Sequence, residues 1–569
     1  MTTPTLPRYP GDRYLTLAEL DAFCEGLAAA LPEWVESEPI GTSREGRPIV
    51  LVTVGRRNGP ASADAADDPR AKRPAFWLDG GTHAPEWTSV MACAYTLSEW
   101  AHALANGEPD LRAWFSTHTA YVVPCISPDG FHALREGAPF LRSTLRGPRD
   151  ERPRVGLDPA DIDGDGVVRW MRWRSPLGPW IFDADNPIRA RHRTLDDDPA
   201  DAWMLCTEGE LVGWDGTRWT RAALKHGIDL NRNFPGSWAP FEMFGMDSGR
   251  FPLSEPESRA VVEAFAARTR IGAAVTNHTY TGCILTQPYR DPSPLSDADV
   301  QLMERLAEGA VAGTGYTVKR VVPDFTYDPK QSIVGVWADT LSTTFGVPGY
   351  TLELWNPYGH AGVEVEDPAK FFKKPDLERI GTMVDHFWRE DPTTVTPWKP
   401  FEHPQLGAVE IGGLDYMRTV RNPPPAELPA ECRRGFTVAD RMRRALPRVE
   451  ARLEIMPLGE GLDRITVRFE NHGYLSTSSI EHARHIGTAP PVVAALDGVV
   501  PLEGAVEQSV GWLDGWGALQ VASAAQPLYP DLPMEGGSRA HVRWIVPRGS
   551  ALLVRWDAGR GGCGVLRRS

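Results

Sequence analysis

The sequence lacks the features that would direct it to a membrane or to an oxidising compartment. No run of about eighteen apolar residues is present, so we predict no membrane-spanning helix. The N-terminal segment, MTTPTLPRYPGDRYLTLAEL, has no basic stretch followed by an apolar core and predicts no signal peptide. Its seven cysteines are scattered and odd in number, which is typical of reduced thiols. These absences together predict a cytoplasmic protein.

The sequence also has fewer basic than acidic residues. Lysine and arginine number 60 against 75 aspartates and glutamates, which gives a formal net charge of −15. Since nucleic acid and anionic membranes attract cations, this balance argues against both as partners. The charge alone does not define a substrate.

The chain has 569 residues, which is too long for one compact core, and two domains are expected. Its contents of hydrophobic residues, 42%, and of charged residues, 24%, are ordinary for a globular protein. The 54 glycines and 51 prolines show no period and indicate many turns.

Strands and helices alternate over the first 395 residues, which predicts an α/β fold with a mixed sheet. Apolar, β-branched segments predict strands at 49–55, 74–81, 120–130, 271–280 and 349–355. Amphipathic patterns predict helices at 13–31, 87–104, 254–269 and 296–313.

The character of the sequence changes after about residue 395. Residues 393–407 are Pro-rich and predict a linker. Short alternating segments follow at 463–473, 540–547 and 550–559, separated by turn clusters, and they predict a β-sandwich over 396–569. The chemistry is therefore expected in residues 1–395.

The first motif with chemical meaning is GGTHAPEW, in which His83 and Glu86 are three residues apart at the end of a predicted strand. This spacing allows both side chains to share one face of a helical turn. An imidazole and a carboxylate can both bind zinc, but a catalytic site needs a third ligand and an open position for water. Alone, the pair is a weak signal.

The second motif is GIDLNRNFPGSW. Asn231 and Arg232 are suited to holding a carboxylate by charge-assisted hydrogen bonds. Asp229, two residues earlier, could accept the free N–H of a metal-bound histidine. In isolation, a polar loop with a surface arginine is the simpler interpretation.

Two further motifs lie at the ends of later strands. His278 follows a buried strand in AAVTNHTYTG, and Tyr280 faces the same way if that segment is extended. Glu353 interrupts the otherwise apolar strand GYTLELW, where a carboxylate is costly unless it is paired or functional. Glu353 would suit a general base.

Taken together, the four motifs resemble the zinc carboxypeptidases related to pancreatic carboxypeptidase A. They follow that family's order: H-x-x-E, D-x-N-R, H-x-Y and E-L. The similarity covers roughly residues 10–390 and includes the segments GTSREGRPIVLVTV and SPDGF. It implies an α/β/α zinc carboxypeptidase domain over 1–395, one Zn²⁺ per chain, and peptides with a free C-terminus as substrates.

The resemblance also implies a role for each motif residue. His83, Glu86 and His278 would bind zinc, and Asp229 would orient His83. Asn231 and Arg232 would hold the terminal carboxylate of the substrate, Tyr280 would line the site, and Glu353 would be the base.

Three positions depart from the family's pattern. The arginine that stabilises the oxyanion should lie after SPDGF, where FLRSTLR offers Arg142 and Arg146; we favour Arg146 and keep Arg142 as the alternative. An arginine two residues after the first zinc histidine is replaced by Pro85. Tyr327 is the best candidate for the family's mobile tyrosine.

Residues 147–228 form an insertion relative to the family. It contains DIDGDGVVRWMR, which begins like a calcium loop with Asp161, Asp163 and Asp165, although Arg172 stands where the closing glutamate belongs. A tight turn is the alternative to calcium. The RSTLR and DIDGDG segments resemble bacterial zinc carboxypeptidases, and TVRFENHGYLST resembles an immunoglobulin-type sandwich.

Two other functions remain open. A zinc amidohydrolase of the aspartoacylase and succinylglutamate desuccinylase type would also resemble H-x-x-E with a D-x-N-R-like segment, but the H-T-Y motif and the length favour a peptidase. A catalytically inactive binding protein would be expected to lose at least one ligand, whereas the set with Glu353 is intact here.

Overall fold

A computed structural model describes residues 5–57, 68–148, 153–217, 220–326, 332–523 and 537–568. The strands in these ranges are β1 (Val35–Thr42), β2 (Pro48–Val54), β3 (Ala75–Asp79), β4 (Thr119–Val123), β5 (Gly156–Pro159), β6 (Trp170–Arg174), β7 (Trp180–Phe182), β8 (Ala190–His192), β9 (Trp203–Thr207), β10 (Gly209–Val212), β11 (Glu242–Met243), β12 (Met246–Asp247), β13 (Ile271–Thr279), β14 (Cys283–Thr286), β15 (Thr317–Arg320), β16 (Gly349–Leu354), β17 (Val395–His403), β18 (Gly407–Leu414), β19 (Val449–Pro457), β20 (Leu462–Asn471), β21 (Val492–Asp497), β22 (Glu507–Gly511), β23 (Arg539–Pro547), β24 (Leu553–Asp557) and β25 (Cys563–Arg567).

The helices in the same ranges are α1 (Leu17–Ala30), α2 (Trp87–Asn106), α3 (Pro109–Thr117), α4 (Pro128–Arg135), α5 (Pro256–Ala266), α6 (Asp297–Val311), α7 (Val321–Asp324), α8 (Trp337–Thr343), α9 (Pro357–His360), α10 (Pro368–Lys373), α11 (Leu377–Glu390), α12 (Leu428–Arg443), α13 (His482–His485) and α14 (Trp516–Ser523).

A twisted mixed sheet forms the centre of the first region. Its strand order is β1-β2-β4-β3-β13-β16-β14-β15. The central pairs β3–β4, β3–β13 and β13–β16 are parallel, whereas β1–β2, β2–β4 and β14–β16 are antiparallel. Every residue of β3 and β13 is buried, as expected for parallel strands covered on both faces. The mixed α/β sheet predicted from the sequence is confirmed.

Helices cover both faces of this sheet. Within β3, Phe76 and Leu78 pack into a core with α1, α2, α6 and α12, whereas Ala75 and Trp77 pack into a second core with α5 and α8. Successive side chains of a strand point to opposite faces, so one strand serves both cores. The result is the predicted α/β/α arrangement.

The strand predicted at 120–130 is shorter than expected. β4 ends at Val123, and α4 begins at Pro128. Proline fits the first turn of a helix because its missing N–H has no intrahelical acceptor there. The SPDG segment therefore starts a helix instead of extending the strand.

The prediction of a linker at 393–407 is wrong. Residues 395–414 form the hairpin of β17 and β18, which joins strands of the insertion in a sheet ordered β17-β18-β6-β9-β7-β8. Pro397 and Pro400 lie on the edge strand β17, where a missing backbone donor is tolerated. Proline content thus suggested a linker where the chain forms a sheet edge.

The core of the first region extends beyond residue 395, since Leu428 and Val438 of α12 are buried in the same cluster as residues of α2. The domain division at 395 and 396 stays a prediction.

In the C-terminal region, the sheets β19-β20-β23 and β22-β21-β24-β25 share one apolar core that contains Val467, Val492 and Trp544. This β-rich region with antiparallel sheets confirms the sandwich predicted from alternating strands.

Candidate metal and active site

Three side chains with metal-binding chemistry meet at the carboxyl edge of the central sheet. His83 and Glu86 lie in the turn between β3 and α2, and His278 lies near the end of β13, the parallel neighbour of β3. Each offers one ligand atom, and these atoms all lie within 4.8 Å of one another. All three residues are buried, with at most 3% of their surface exposed. The carboxyl edge of such a sheet is the usual position of an α/β active site.

The ligand atoms face one another closely. His83 Nδ1 lies 2.9 Å from Glu86 Oε1, and His278 Nδ1 lies 2.9 Å from Glu86 Oε2. The two Nδ1 atoms are 3.0 Å apart. Two imidazoles and one carboxylate are a donor set that suits catalytic zinc and leaves a coordination position for water. The residues present therefore fit a zinc ion.

The electrostatics of Glu86 suit a metal ligand. Burial alone would raise the pKa of its carboxyl, but the charges of His83 and His278 and the hydrogen bonds to their rings hold that pKa well below its usual range. Thr279 also donates its backbone N–H to Glu86 Oε2 at 3.1 Å. Glu86 is therefore ionised, as a ligand must be.

Asp229 lies behind His83. Its Oδ1 is 3.1 Å from His83 Nε2 and accepts the backbone N–H of Asn231 at 3.0 Å. Burial would raise the pKa of Asp229, but the charges of Arg232, Arg142 and His83 hold it well below its usual range. In the neutral form of His83, an ionised acceptor at Nε2 favours the proton there, which leaves the Nδ1 lone pair directed at the other candidate ligands.

Glu353 lies beside the ligands on β16. In the parallel register of β13 and β16 it is the direct partner of His278, which explains why two distant motifs meet. The pKa of Glu353 is raised to about 7, chiefly by burial and further by the charge of Glu86, while His278, Arg142 and Arg421 oppose the shift. A carboxyl with a pKa near neutrality can accept and release a proton in one reaction cycle.

Of the two candidate arginines, the structure brings Arg142 to the candidate metal ligands. Its Nη1 donates to Glu86 Oε1 at 2.9 Å, and its Nε lies 3.5 Å from Asp229 Oδ2. Arg146, which the sequence favoured, instead forms ion pairs with Asp247 and Glu255. The two arginines are only four residues apart in the sequence, but the loop after α4 places their side chains beside different carboxylates.

Asn231 and Arg232 lie in a short 3-10 turn, Leu230–Arg232, that Asp229 caps. Asn231 Oδ1 accepts the backbone N–H of Trp337 at 2.9 Å. Arg232 donates from Nη1 to the carbonyl of Asn231 at 2.7 Å, and its buried Nε has no acceptor among the residues that the structure describes. A buried guanidinium N–H without an acceptor is suited to a carboxylate ligand.

Tyr280 directly follows β13 and is half-buried, with its ring centroid 5.6 Å from that of Phe372. The Thr279–Tyr280 peptide bond is cis. Tyr327, the other tyrosine predicted at the site, lies outside the described residues.

Sequence reasoning missed Arg421, whose guanidinium lies 5.3 Å from the Tyr280 ring. It belongs to a π-helical turn, Met417–Arg421, in the region that the sequence assigns to the sandwich. Nothing in the motif order marks it, because the contact depends on how residues 415–422 fold back onto the start of α2.

The predicted calcium loop has a different arrangement from the one expected. Asp161 and Asp163 group with Glu208, whereas Asp165 forms an ion pair with Arg169. The oxygens of Asp161 accept the backbone N–H groups of Gly164 and Gly166, as in the tight turn that was the alternative. Nothing in the comparisons below supports calcium, which stays a prediction.

Comparison with known proteins gives two matches to family models. A model described as zinc carboxypeptidase matches residues 20–165 and 205–362, more than half of the chain. The unmatched gap between these ranges falls within the predicted insertion. A second model, described as a domain of unknown function, matches residues 449–566, the range of β19 to β25.

Individual relatives match shorter stretches. Human carboxypeptidase D is 36% identical over 138 residues, which cover 22% of this chain and 10% of that protein. Mouse carboxypeptidase A6 is 27% identical over 166 residues, which cover 29% of this chain and 34% of that protein. The chain therefore spans about a tenth to a third of the length of these curated relatives.

Among solved structures, carboxypeptidase A from Helicoverpa armigera is 16% identical, with a TM-score of 0.41, and the match covers 69% of this chain and 78% of that one.

Over the described residues, no helix has the length and apolar character needed to cross a bilayer.

Proposed function

Since the chain belongs to the zinc carboxypeptidase family, we propose that it is a metallocarboxypeptidase that hydrolyses the C-terminal peptide bond of peptides. The observation that carries this proposal is the meeting of His83, Glu86 and His278 at one buried point beside Glu353. Ligands without a nearby base would fit a structural metal site equally well. The adjacent carboxyl supports hydrolysis.

His83, Glu86 and His278 would hold the zinc ion. The chemistry that zinc supplies in such a site is Lewis-acid activation of water and of the scissile carbonyl. Asp229 would keep the proton of His83 on Nε2, so that Nδ1 remains a ligand.

Glu353 would act as the general base and then as the general acid. It accepts a proton from the attacking water as the C–O bond forms, and it delivers that proton to the leaving amine as the C–N bond breaks. Proton transfer of this kind contributes about 10²- to 10⁴-fold to a rate. Burial, which raises the pKa of the Glu353 carboxyl, supports its capacity to hold the proton between the two steps.

Arg142 would stabilise the negative charge that develops on the carbonyl oxygen. Its guanidinium is already held beside the ligands by Glu86 and Asp229, so little reorganisation is needed when the charge appears. Arg146 forms ion pairs with two other carboxylates, Asp247 and Glu255, so it fits this role less well than Arg142 does.

Asn231 and Arg232 would bind the terminal carboxylate of the substrate. The buried Nε of Arg232 supports this role, because a carboxylate would provide the acceptor that it lacks among the described residues. Tyr280, at the end of β13, would contact the peptide next to the zinc ligands.

The direct test is product identification with a peptide of about ten residues that has a blocked N-terminus. We expect mass spectrometry to show loss of one residue at a time from the C-terminus, and we expect a zinc chelator to abolish that loss. A zinc deacylase would leave the peptide intact and cleave N-acyl amino acids. A binding protein would convert neither substrate.

A further inference from the structure

A large cavity lies among segments that flank the candidate metal ligands in the sequence. Its volume is about 1300 Å³, and its wall is formed by the insertion, by the loop after α4 and by residues 414–421. Leu141, next to Arg142, and Trp87, next to Glu86, both line it. The cavity therefore reaches the neighbours of Glu86 and Arg142 in the sequence, although none of the candidate zinc ligands lines it.

The cavity wall is strongly basic although the chain as a whole carries a charge of −15. Its acidic members are Asp158 and Asp415, each of which forms an ion pair with an arginine of the same wall. Its basic members are Arg135, Arg154, Arg169, Arg221, Lys225, Arg418 and Arg421. A concentration of positive charge in a cavity of an acidic protein attracts anionic ligands.

Arg421 is a member of this wall that also contacts Tyr280, the residue that directly follows the strand carrying His278. Its guanidinium lies 5.3 Å from the ring centroid of Tyr280, 5.4 Å from that of Phe140 and 5.8 Å from that of Tyr416. Its Nε donates to the hydroxyl of Tyr416 at 3.1 Å. No carboxylate in the described part of the chain forms an ion pair with it, unlike Arg142 and Arg146.

The position of Arg421 is fixed by its neighbour Asn422. The side chain of Asn422 accepts the backbone N–H and the hydroxyl of Thr88, at 2.9 and 3.0 Å, and donates to the carbonyls of Pro85 and Met417, at 2.8 and 3.0 Å. Glu86 lies between Pro85 and Thr88. The turn that presents Arg421 is thus attached to the segment that presents a zinc ligand, so its guanidinium is preorganised relative to the site.

We propose that Arg421 binds an anionic group on the acyl side of the scissile bond, so that the enzyme prefers peptides with aspartate or glutamate at one of the two positions before the residue that it releases. This inference rests on the proposed carboxypeptidase activity. Arg421 would then be a specificity-determining residue contributed by a part of the chain beyond the range that the zinc carboxypeptidase model matches.

The acyl side is favoured because the two arginines have different surroundings. Arg232, proposed to hold the terminal carboxylate, lies beside Asp229 and has its guanidinium 5.3 Å from the Phe241 ring. Arg421 lies beside Tyr280 and the cavity. Since a peptide must extend from its terminus past the metal, an anion at Arg421 belongs to the residues before the scissile bond.

The test uses sets of peptides that end in the same residue and carry glutamate, glutamine or lysine at each of the two preceding positions. For the zinc-loaded, full-length enzyme we expect kcat/KM to favour glutamate over glutamine by about tenfold or more at one of those positions. Arg421→Gln should bring this ratio close to 1, and Arg421→Glu should invert the preference in favour of lysine. Arg418→Gln is the matched control, because Arg418 lines the same cavity but pairs with Asp415; it should keep the preference.

Zinc content and thermal unfolding check that each variant is folded, and Arg421→Lys, which keeps the charge, should retain part of the preference. A merely structural role for Arg421 would lower stability without changing the ratio, and that result would overturn the inference. Equal cleavage of the glutamate and glutamine peptides by the wild type would also overturn it, while leaving carboxypeptidase activity intact. Absence of C-terminal release from every peptide would refute the proposed function itself.

Discussion

The proposed reaction depends most on Glu353, the general base. Glu353 lies opposite His278 in the register of the parallel strands β13 and β16. Replacing it with glutamine keeps the shape but removes the ability to accept a proton near neutral pH. We expect Glu353→Gln to bind zinc normally and to lose about 10²- to 10⁴-fold in kcat. Metal analysis and steady-state kinetics measure the two quantities, and the exposed Glu364→Gln should behave as the wild type. Near-normal turnover by Glu353→Gln would locate the base elsewhere.

Arg142 and Arg146 provide a matched pair of substitutions in one loop. Arg142→Gln should lower kcat by about 10²- to 10³-fold, because a preorganised donor beside the reacting carbonyl is lost. Arg146→Gln removes ion pairs with Asp247 and Glu255 instead, so its main effect should be on the midpoint of thermal unfolding. The reverse result, with Arg146→Gln the slower enzyme, would contradict the assignment.

The sequence allowed prediction of the residues that belong to recognisable motifs but not of those whose position depends on the path of an irregular loop. His83, Glu86, His278 and Glu353 follow or interrupt buried strands, and strand ends of a parallel sheet meet at one edge. The choice between Arg142 and Arg146 depends on the path of an irregular loop, which no periodic pattern specifies. Arg421 could not be predicted because its contact with Tyr280 joins residues that are far apart in the sequence.

At the scale of elements, the attachment of the Met417–Arg421 turn to the start of α2 joins the region after residue 395 to the candidate metal site. Asn422 is fully buried, and it makes four hydrogen bonds through its side chain. We expect Asn422→Ala to lower the free energy of unfolding by about 2–4 kcal/mol, because buried polar groups of the 85–88 segment lose their partner. We also expect weaker zinc binding, since Glu86 lies in that segment.

Chemical denaturation and zinc competition with a chelator measure these two effects. Ser296→Ala is a suitable control, because it removes the side-chain cap of α6 and should cost about 1 kcal/mol without altering zinc affinity. If Asn422→Ala bound zinc as tightly as the wild type, the attachment would be purely structural.

The elements themselves were predictable to different degrees. Fully buried strands such as β3 and β13 are apolar throughout and bounded by turn residues, so they can be recognised from the sequence. The β17–β18 hairpin could not be, because prolines that are tolerated on an edge strand resemble those of a linker. Helix α12 was missed because the expected boundary at 395 assigned its residues to the sandwich.

At the scale of the whole molecule, the sandwich is attached to the first region by buried contacts. Arg560 donates from Nη1 to the carbonyl of Gly346 and from Nη2 to that of Phe345, each at 2.6 Å. Arg270 also forms an ion pair with Asp557 of β24. These contacts attach the part of the sandwich around β24 and β25 to the first region.

The central claim is that the metal site acts on peptides from their C-terminus, and one comparison tests it most directly. Amidation removes the charge of the terminal carboxylate and leaves the buried guanidinium of Arg232 partly unpaired. The account predicts that a peptide with a free C-terminus has a kcat/KM about 30- to 1000-fold higher than its amidated counterpart, which corresponds to roughly 2–4 kcal/mol. Equal hydrolysis of the two peptides by the zinc-loaded enzyme would contradict it.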